Sequence, residues 1–220
     1  VGWLLQLSGK LTGVACSEGM FLANRQTQTT NTAHWAGAHR LLTNRLAQAA
    51  VIQTTARSIL EEGLAYDRCL VGVVTDMQGW ESLADHDVQD ISHMRRVLRT
   101  QIDVVLDEGA GVLNADDERV AELASLCDGE VLLYSLHANN ATIAAHRNEK
   151  NGRAVFLLDG RVVLAQGSKE RVLGQLSALP LASGTAPDTA SLLAAIATAW
   201  ALDIAPDLIA AGIKTFEYQR

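Results

Sequence analysis

The run Cys69-Leu70-Val71-Gly72-Val73-Val74-Thr75 constrains this chain most, because it carries no charge, is rich in β-branched residues and is flanked on both sides by helical patterning. Such a run reads as the central strand of a buried, parallel sheet. Arg57 to Leu64 before it reads as a helix. After it, Val88, Ile91, Met94, Leu98, Ile102 and Val105 recur at three- and four-residue steps, which predicts one long amphipathic helix over 86–106, closed by Gly109 and Gly111. Val112–Asn114 then reads as a strand, Asp117–Cys127 as a helix and Glu130–Ser135 as a strand. Strands alternating with helices at this spacing indicate βαβ units and a largely parallel sheet.

Val14–Cys16 predicts a short strand, ended by Ser17-Glu18-Gly19 and returned by Met20–Leu22 as a hairpin. Ala38–Arg45 has helical spacing, and Ala49–Ile52 is an apolar run suited to a buried parallel strand. Beyond Ala138 the texture changes to paired short strands: 154–158, the turn Asp159-Gly160, then 161–165. Leu176–Leu181 adds an antiparallel edge strand, and helices over Thr189–Leu202 and Pro206–Ile213 finish the chain. The fold class that follows is a three-layer α/β arrangement, a mostly parallel sheet flanked by helices, with a small antiparallel extension over 150–182. With only 3 prolines and no repeat, residues 1–220 read as one compact body.

With 48% hydrophobic and 20% charged residues the chain is globular rather than disordered. A net charge of −7 removes the basic footprint of a general nucleic-acid binder. The most apolar tract, Leu192–Leu202, lies between Asp188 and Asp203, well short of the roughly 20 residues that a bilayer span needs. No membrane partner is expected. Cys16, Cys69 and Cys127 are far apart and odd in number, which fits reduced thiols and a cytoplasmic protein. The opening Val1-Gly2-Trp3-Leu4-Leu5 has neither Met nor a basic region and does not read as a signal peptide; the chain looks cut from something longer.

In an open parallel sheet, ligands bind beyond the carboxyl ends of the strands. The residues there are Ser17-Glu18-Gly19, Gln53-Thr54-Thr55, Thr75-Asp76 and Asn114-Ala115-Asp116-Asp117. The last set offers two readings. Its amide and paired carboxylates suit ribose hydroxyls or a hydrated metal. Equally, Asp116 suits a helix N-cap, with Asp117 and Glu118 complementing the dipole. Asp76 is either a water-mediated Mg²⁺ ligand or the start of the turn into Gln78-Gly79-Trp80. Arg95, Arg96 and Arg99 place three guanidinium groups within five residues, either a phosphate contact or a solvated helix face on which Arg95 and Arg99 repel. No Gly-x-x-x-x-Gly-Lys-Ser/Thr loop and no Gly-x-Gly-x-x-Gly occurs; Ser8-Gly9-Lys10-Leu11-Thr12 is only a fragment of such a loop.

The stretches Glu62–Asp76, Val97–Leu106 and Gly111–Asp117 resemble the Mur-ligase central domain of the cyanophycin synthetases, closest to their proteobacterial type. Ala144-Ala145-His146-Arg147, Gly152-Arg153-Ala154-Val155 and Trp200-Ala201-Leu202 continue the resemblance collinearly. It implies that residues 1–220 are a Mur-type central domain without the preceding phosphate-loop segment and the following domain. It also implies an ATP-dependent acid–amino-acid ligase with Mg²⁺, which activates side-chain carboxylates of an aspartate polymer as acyl phosphates and joins arginine to them. The partners implied are ATP and the aspartate/arginine polymer, with a homo-oligomer in the parent protein.

By the same resemblance Asn114, Asp116, Asp117 and Asp188 are the nucleotide-binding positions, with Asp188 and Ser191 standing where the family has an Asn pair. Gln53 stands where the family carries a Glu near Mg²⁺, and Asp76 where it carries an Asn, so both are degenerate metal positions. Arg95 is the one candidate for a catalytic role. These departures open an alternative: a degenerate, inactive Mur-like module that serves oligomerisation or polymer binding. On either reading this chain alone is not expected to turn over.

Overall fold

The computed structural model describes residues 1–176 and 189–216. The chain forms two compact units, Val1–Arg68 with Gly79–Leu98, and Cys69–Gln78 with Arg99–Arg220.

The first unit holds α1 (Gly2–Leu7), β1 (Thr12–Cys16), β2 (Gly19–Leu22), β3 (Arg25–Gln28), α2 (Trp35–Leu42), β4 (Ala49–Ile52) and α3 (Ala56–Glu62). Its strands form a four-stranded sheet in the order β3-β2-β1-β4. The hairpin read from sequence is β1 against β2, with Cys16 opposite Gly19. Gly19 is required there: its φ is 128°, and an added Cβ would lie 2.0 Å from the Gln28 carbonyl oxygen. Ala49–Ile52 is a parallel strand as anticipated, paired with β1, but it is not buried: it ends the order of described strands, with Ala50 exposed and its neighbours half-buried. Ala15, Met20 and Leu41 make the core of this unit, with Ala47 and Ile52 packed on it.

The long helix anticipated over 86–106 is broken. Trp80–His86 is a 3₁₀ segment between two left-handed residues, Gly79 (φ 79°) and Asp87 (φ 59°). Helix α4 runs only over Ile91–Asp103, because Asp90 Oδ1 accepts hydrogen bonds from the backbone N–H groups of Ser92 (2.8 Å) and His93 (2.9 Å) and so caps it. Apolar periodicity continued across the break, which concealed a cap inside the pattern.

The second unit holds β5 (Cys69–Val74), β6 (Val105–Asn114), α5 (Glu118–Ala121), β7 (Glu130–Ser135), α6 (Ala141–Lys150), β8 (Arg153–Leu158), β9 (Arg161–Gln166), β10 (Lys169–Gln175), α7 (Thr189–Ala201) and α8 (Pro206–Lys214). These strands form a six-stranded sheet ordered β10-β9-β8-β7-β6-β5. The pairs from β5 to β8 are parallel, and β9 and β10 extend the sheet antiparallel. Asp159 (φ 50°) and Gly160 (φ 71°) both adopt left-handed conformations between β8 and β9, the turn whose twist matches a hairpin. Helix α7 packs on the sheet with Leu193, Ile196, Ala197 and Ala199 fully buried.

Two expectations change in this unit, and two elements are added to them. The uncharged run 69–75 becomes an edge strand, because β5 pairs with β6 alone among the described strands. Gly109 and Gly111 lie inside β6 rather than ending a helix, since strands pass too close for a side chain: a Cβ on Gly109 would sit 2.3 Å from the Leu70 carbonyl oxygen. Residues 141–150 form a helix, started by Asn140, whose Oδ1 accepts from Ile143 N at 3.1 Å. An antiparallel edge strand forms over 169–175; of the strand expected over 176–181, residues 177–181 lie outside the described residues. No helix among the described residues is long and apolar enough to cross a membrane.

Candidate functional site

Three parallel strand ends meet in the second unit, where β5 runs into Thr75-Asp76, β6 into Asn114–Asp117 and β7 into Ser135–Asn140. Polar side chains tie them together. Asn114 Nδ2 donates to the Thr75 carbonyl (3.0 Å), and its Oδ1 accepts from Asp116 N (3.0 Å). The Asp116 carboxylate accepts from Ser135 Oγ (2.5 Å), Leu136 N (2.7 Å) and Asn140 Nδ2 (3.1 Å). Asn140 Nδ2 also reaches the Ala115 carbonyl at 3.0 Å.

The N-cap is one residue later than Asp116. Asp117 caps α5, its Oδ1 accepting from Arg119 N at 3.0 Å, while Asp116 is taken up by β7 and α6. The helix predicted over 117–127 is accordingly short: α5 passes into a 3₁₀ turn over Glu122–Leu126. Ser135 and Asn140 were missed in the residue pattern. The signal for Asn140 was local, an Asn immediately before a helical stretch; nothing local marked Ser135.

Asp76 is pinned at the end of β5, accepting from Thr75 Oγ1 (2.9 Å) and from Gln78 N (3.0 Å) in a side-chain-stabilised turn. Gln53 belongs to the first unit, where its Oε1 accepts from Ser17 N at 2.9 Å. The two degenerate metal positions thus lie in different units, one a neutral amide and one a carboxylate committed to its own turn. Among the described residues no group of three or more His, Cys, Asp or Glu is placed to hold a metal ion. This donor set does not fit a dedicated Mg²⁺ site. Asp188 lies outside the described residues.

Arg95 is half-buried on α4 in the first unit. Arg99 is engaged within its helix, its Nε donating to both carboxylate oxygens of Asp103 (3.0 and 2.7 Å). Arg99 is thus paired with a carboxylate one turn on in the same helix. Burial pushes the Cys69 thiol up to about 11, with Cys127 adding to the shift, and burial raises Cys127 as well, so both are poor nucleophiles at neutral pH.

The fold is that of the Mur ligases. The structure superposes on the UDP-N-acetylmuramoylalanyl-D-glutamyl-2,6-diaminopimelate–D-alanyl-D-alanyl ligase of Acinetobacter baumannii with a TM-score of 0.60, covering 98% of this chain and 42% of that one at 13% identity. A pseudomurein peptide ligase type C from Methanothermus fervidus gives 0.56 over 99% of this chain and 46% of that one, at 17% identity.

In sequence the chain is related to the cyanophycin synthetases. It is 28% identical over 216 residues to that of Crocosphaera subtropica and 29% over 215 residues to that of Synechocystis, matching 96% and 95% of this chain. It spans 24% of the length of each of these relatives. No protein-family model matches the chain.

Proposed function

We propose that this chain is the Mur-type module of an ATP-dependent amide ligase resembling cyanophycin synthetase, acting in the cytoplasm. In that reaction arginine is joined to aspartate side-chain carboxylates of a polymer through an acyl phosphate. One observation carries the reading: the Asn114–Asp117 turn is braced at the carboxyl end of a parallel sheet, where α/β folds bind ligands. With Asp116 and Asn114 holding the turn, Asp117 is the acidic group there best placed to meet ribose hydroxyls. This chain's part is to shape and orient a nucleotide site. Phosphate and Mg²⁺ contacts would come from other segments.

A second reading is favoured by Gln53, whose neutral side chain is spent on Ser17 N. On it the module keeps the Mur fold for oligomer contacts or polymer binding without turnover. Two measurements on the complete gene product separate the readings: calorimetric titration of ATP·Mg²⁺, and release of ADP coupled to arginine incorporation into an aspartate polymer. Both signals support the ligase; polymer retention without nucleotide binding or incorporation leaves only the second reading.

A further inference from the structure

The side chain of Asn140 is spent in two directions. Its Oδ1 accepts from Ile143 N at 3.1 Å and so caps α6, while its Nδ2 donates to the Ala115 carbonyl (3.0 Å) and to Asp116 Oδ1 (3.1 Å). The amide has one orientation, because turning it over would set Oδ1 against two oxygens. The Ala115 carbonyl and the Asp116 N–H belong to a single peptide group, whose N–H donates to Asn114 Oδ1 at 3.0 Å. That group is therefore held at both ends, by Asn114 at its N–H and by Asn140 at its carbonyl. Asp117 follows directly from it. With φ −108° and ψ 107°, Asp117 gives Oδ1 to the α5 cap, which leaves Oδ2 for a ligand.

We propose that Asn140 is a positioning residue for the nucleotide: by pinning the Ala115–Asp116 peptide group it sets where the Asp117 carboxylate meets the ribose hydroxyls. The inference rests on the nucleotide reading given above and adds to it a residue from the next strand-to-helix turn. A peptide group is rigid, but the single bonds on either side of it rotate. Without the Asn140 donor, the group keeps only its N–H partner and can swing about those bonds, carrying Asp117 with it. Asp116 still accepts from Ser135 and Leu136, so the two turns stay joined and the fold persists. The position asks for an acceptor and a donor at once, which an amide supplies. Serine meets half of the need. Its hydroxyl can cap α6, but it lies where the amide carbon of Asn140 stands and falls short of the Ala115 carbonyl.

The test is calorimetric titration of ATP·Mg²⁺, and of a dideoxy analogue lacking both ribose hydroxyls, into the complete gene product and its Asn140→Ser, Asp117→Ala and doubly substituted forms. Asn140→Ser should unfold cooperatively and raise the ATP dissociation constant about tenfold. The dideoxy analogue should bind the natural protein and Asn140→Ser alike, since it offers Asp117 no hydroxyl. In the Asp117→Ala background, Asn140→Ser should change the ATP constant less than about twofold, because it acts through that carboxylate. A purely structural role would weaken both nucleotides and add its loss to that of Asp117→Ala; this result overturns the inference. So does an Asn140→Ser protein that binds ATP as the natural one does, and the nucleotide reading then stands without it. A natural protein that binds no ATP removes the reading and the inference together. If Asn140→Ser does not fold, Asn140→Asp, which keeps the cap acceptor and lacks the donor, decides by the same comparison.

Discussion

The hydroxyl of Ser135, fully buried at the end of β7, donates a 2.5 Å hydrogen bond to Asp116 Oδ1 and accepts one of 2.9 Å from His137 N. Through this pair the turn after β6 is locked to the turn after β7. Ser135→Ala removes both bonds at a buried position and should cost about 2 kcal/mol. The urea midpoint falls while the slope of the transition is unchanged. A double-mutant cycle with Asp116→Ala should show coupling of about 1 kcal/mol.

Asp117 has a structural duty as the N-cap of α5. Asp117→Ala should therefore cost about 1 kcal/mol of stability while unfolding stays cooperative. The same variant in the complete gene product should bind ATP·Mg²⁺ more weakly by calorimetry. Equal affinity in the two proteins would reduce the carboxylate to a helix cap.

Gln53→Glu keeps an acceptor for the Ser17 N–H and adds a negative charge at the end of β4. The thermal midpoint should then rise more with Mg²⁺ than that of the natural protein, by linkage between binding and folding. Superimposable Mg²⁺ titrations would show that this position does not correspond to a metal ligand.

Gly109→Ala places a methyl group 2.3 Å from the Leu70 carbonyl oxygen and 3.0 Å from that of Leu106. Backbone must move on both sides, so destabilisation of about 2 kcal/mol or more is expected in thermal unfolding. At Gly63, where an added Cβ meets nothing within 4 Å, the cost of Ala comes from the positive φ of 75° alone.

His146 supplies a pH dependence. Burial holds its pKa below the ordinary 6.5, and its Nε2–H donates to the Val131 carbonyl at 3.0 Å. Between the folded and unfolded pKa values the unfolded chain binds more protons. Stability is thus complete above about pH 6.5 and is lost as the pH falls from there to the folded pKa. Unfolding midpoints measured from about pH 8 to about pH 5 should decline less steeply in His146→Gln than in the natural protein.

Much of the fold was legible because its signals are local. The uncharged run of β5, the Asp159-Gly160 turn, the Val14–Leu22 hairpin and Pro206 in the first turn of α8 each carry their instruction within a few residues. The candidate site was legible in part. Asn114, Asp116 and Asp117 do stand together at a strand end, but their division of labour depended on Ser135 and Asn140, about twenty residues on. Gln53 and Asp76 each stand just beyond a strand end, and the local hydrogen bond that holds each of them was not marked in the residue pattern.

Residue pattern and turn chemistry therefore set which segments extend, which coil and where they reverse. Those choices rest on side-chain volume, β-branching and backbone freedom, all properties of neighbours in the chain. Strand order, the edge position of β5 among the described strands, the place of Gly109 inside β6 and the partners of Asp116 were settled by packing between distant segments. A strand's intrinsic pattern specifies that it wants neighbours. Which neighbours it receives depends on how the rest of the chain closes around it.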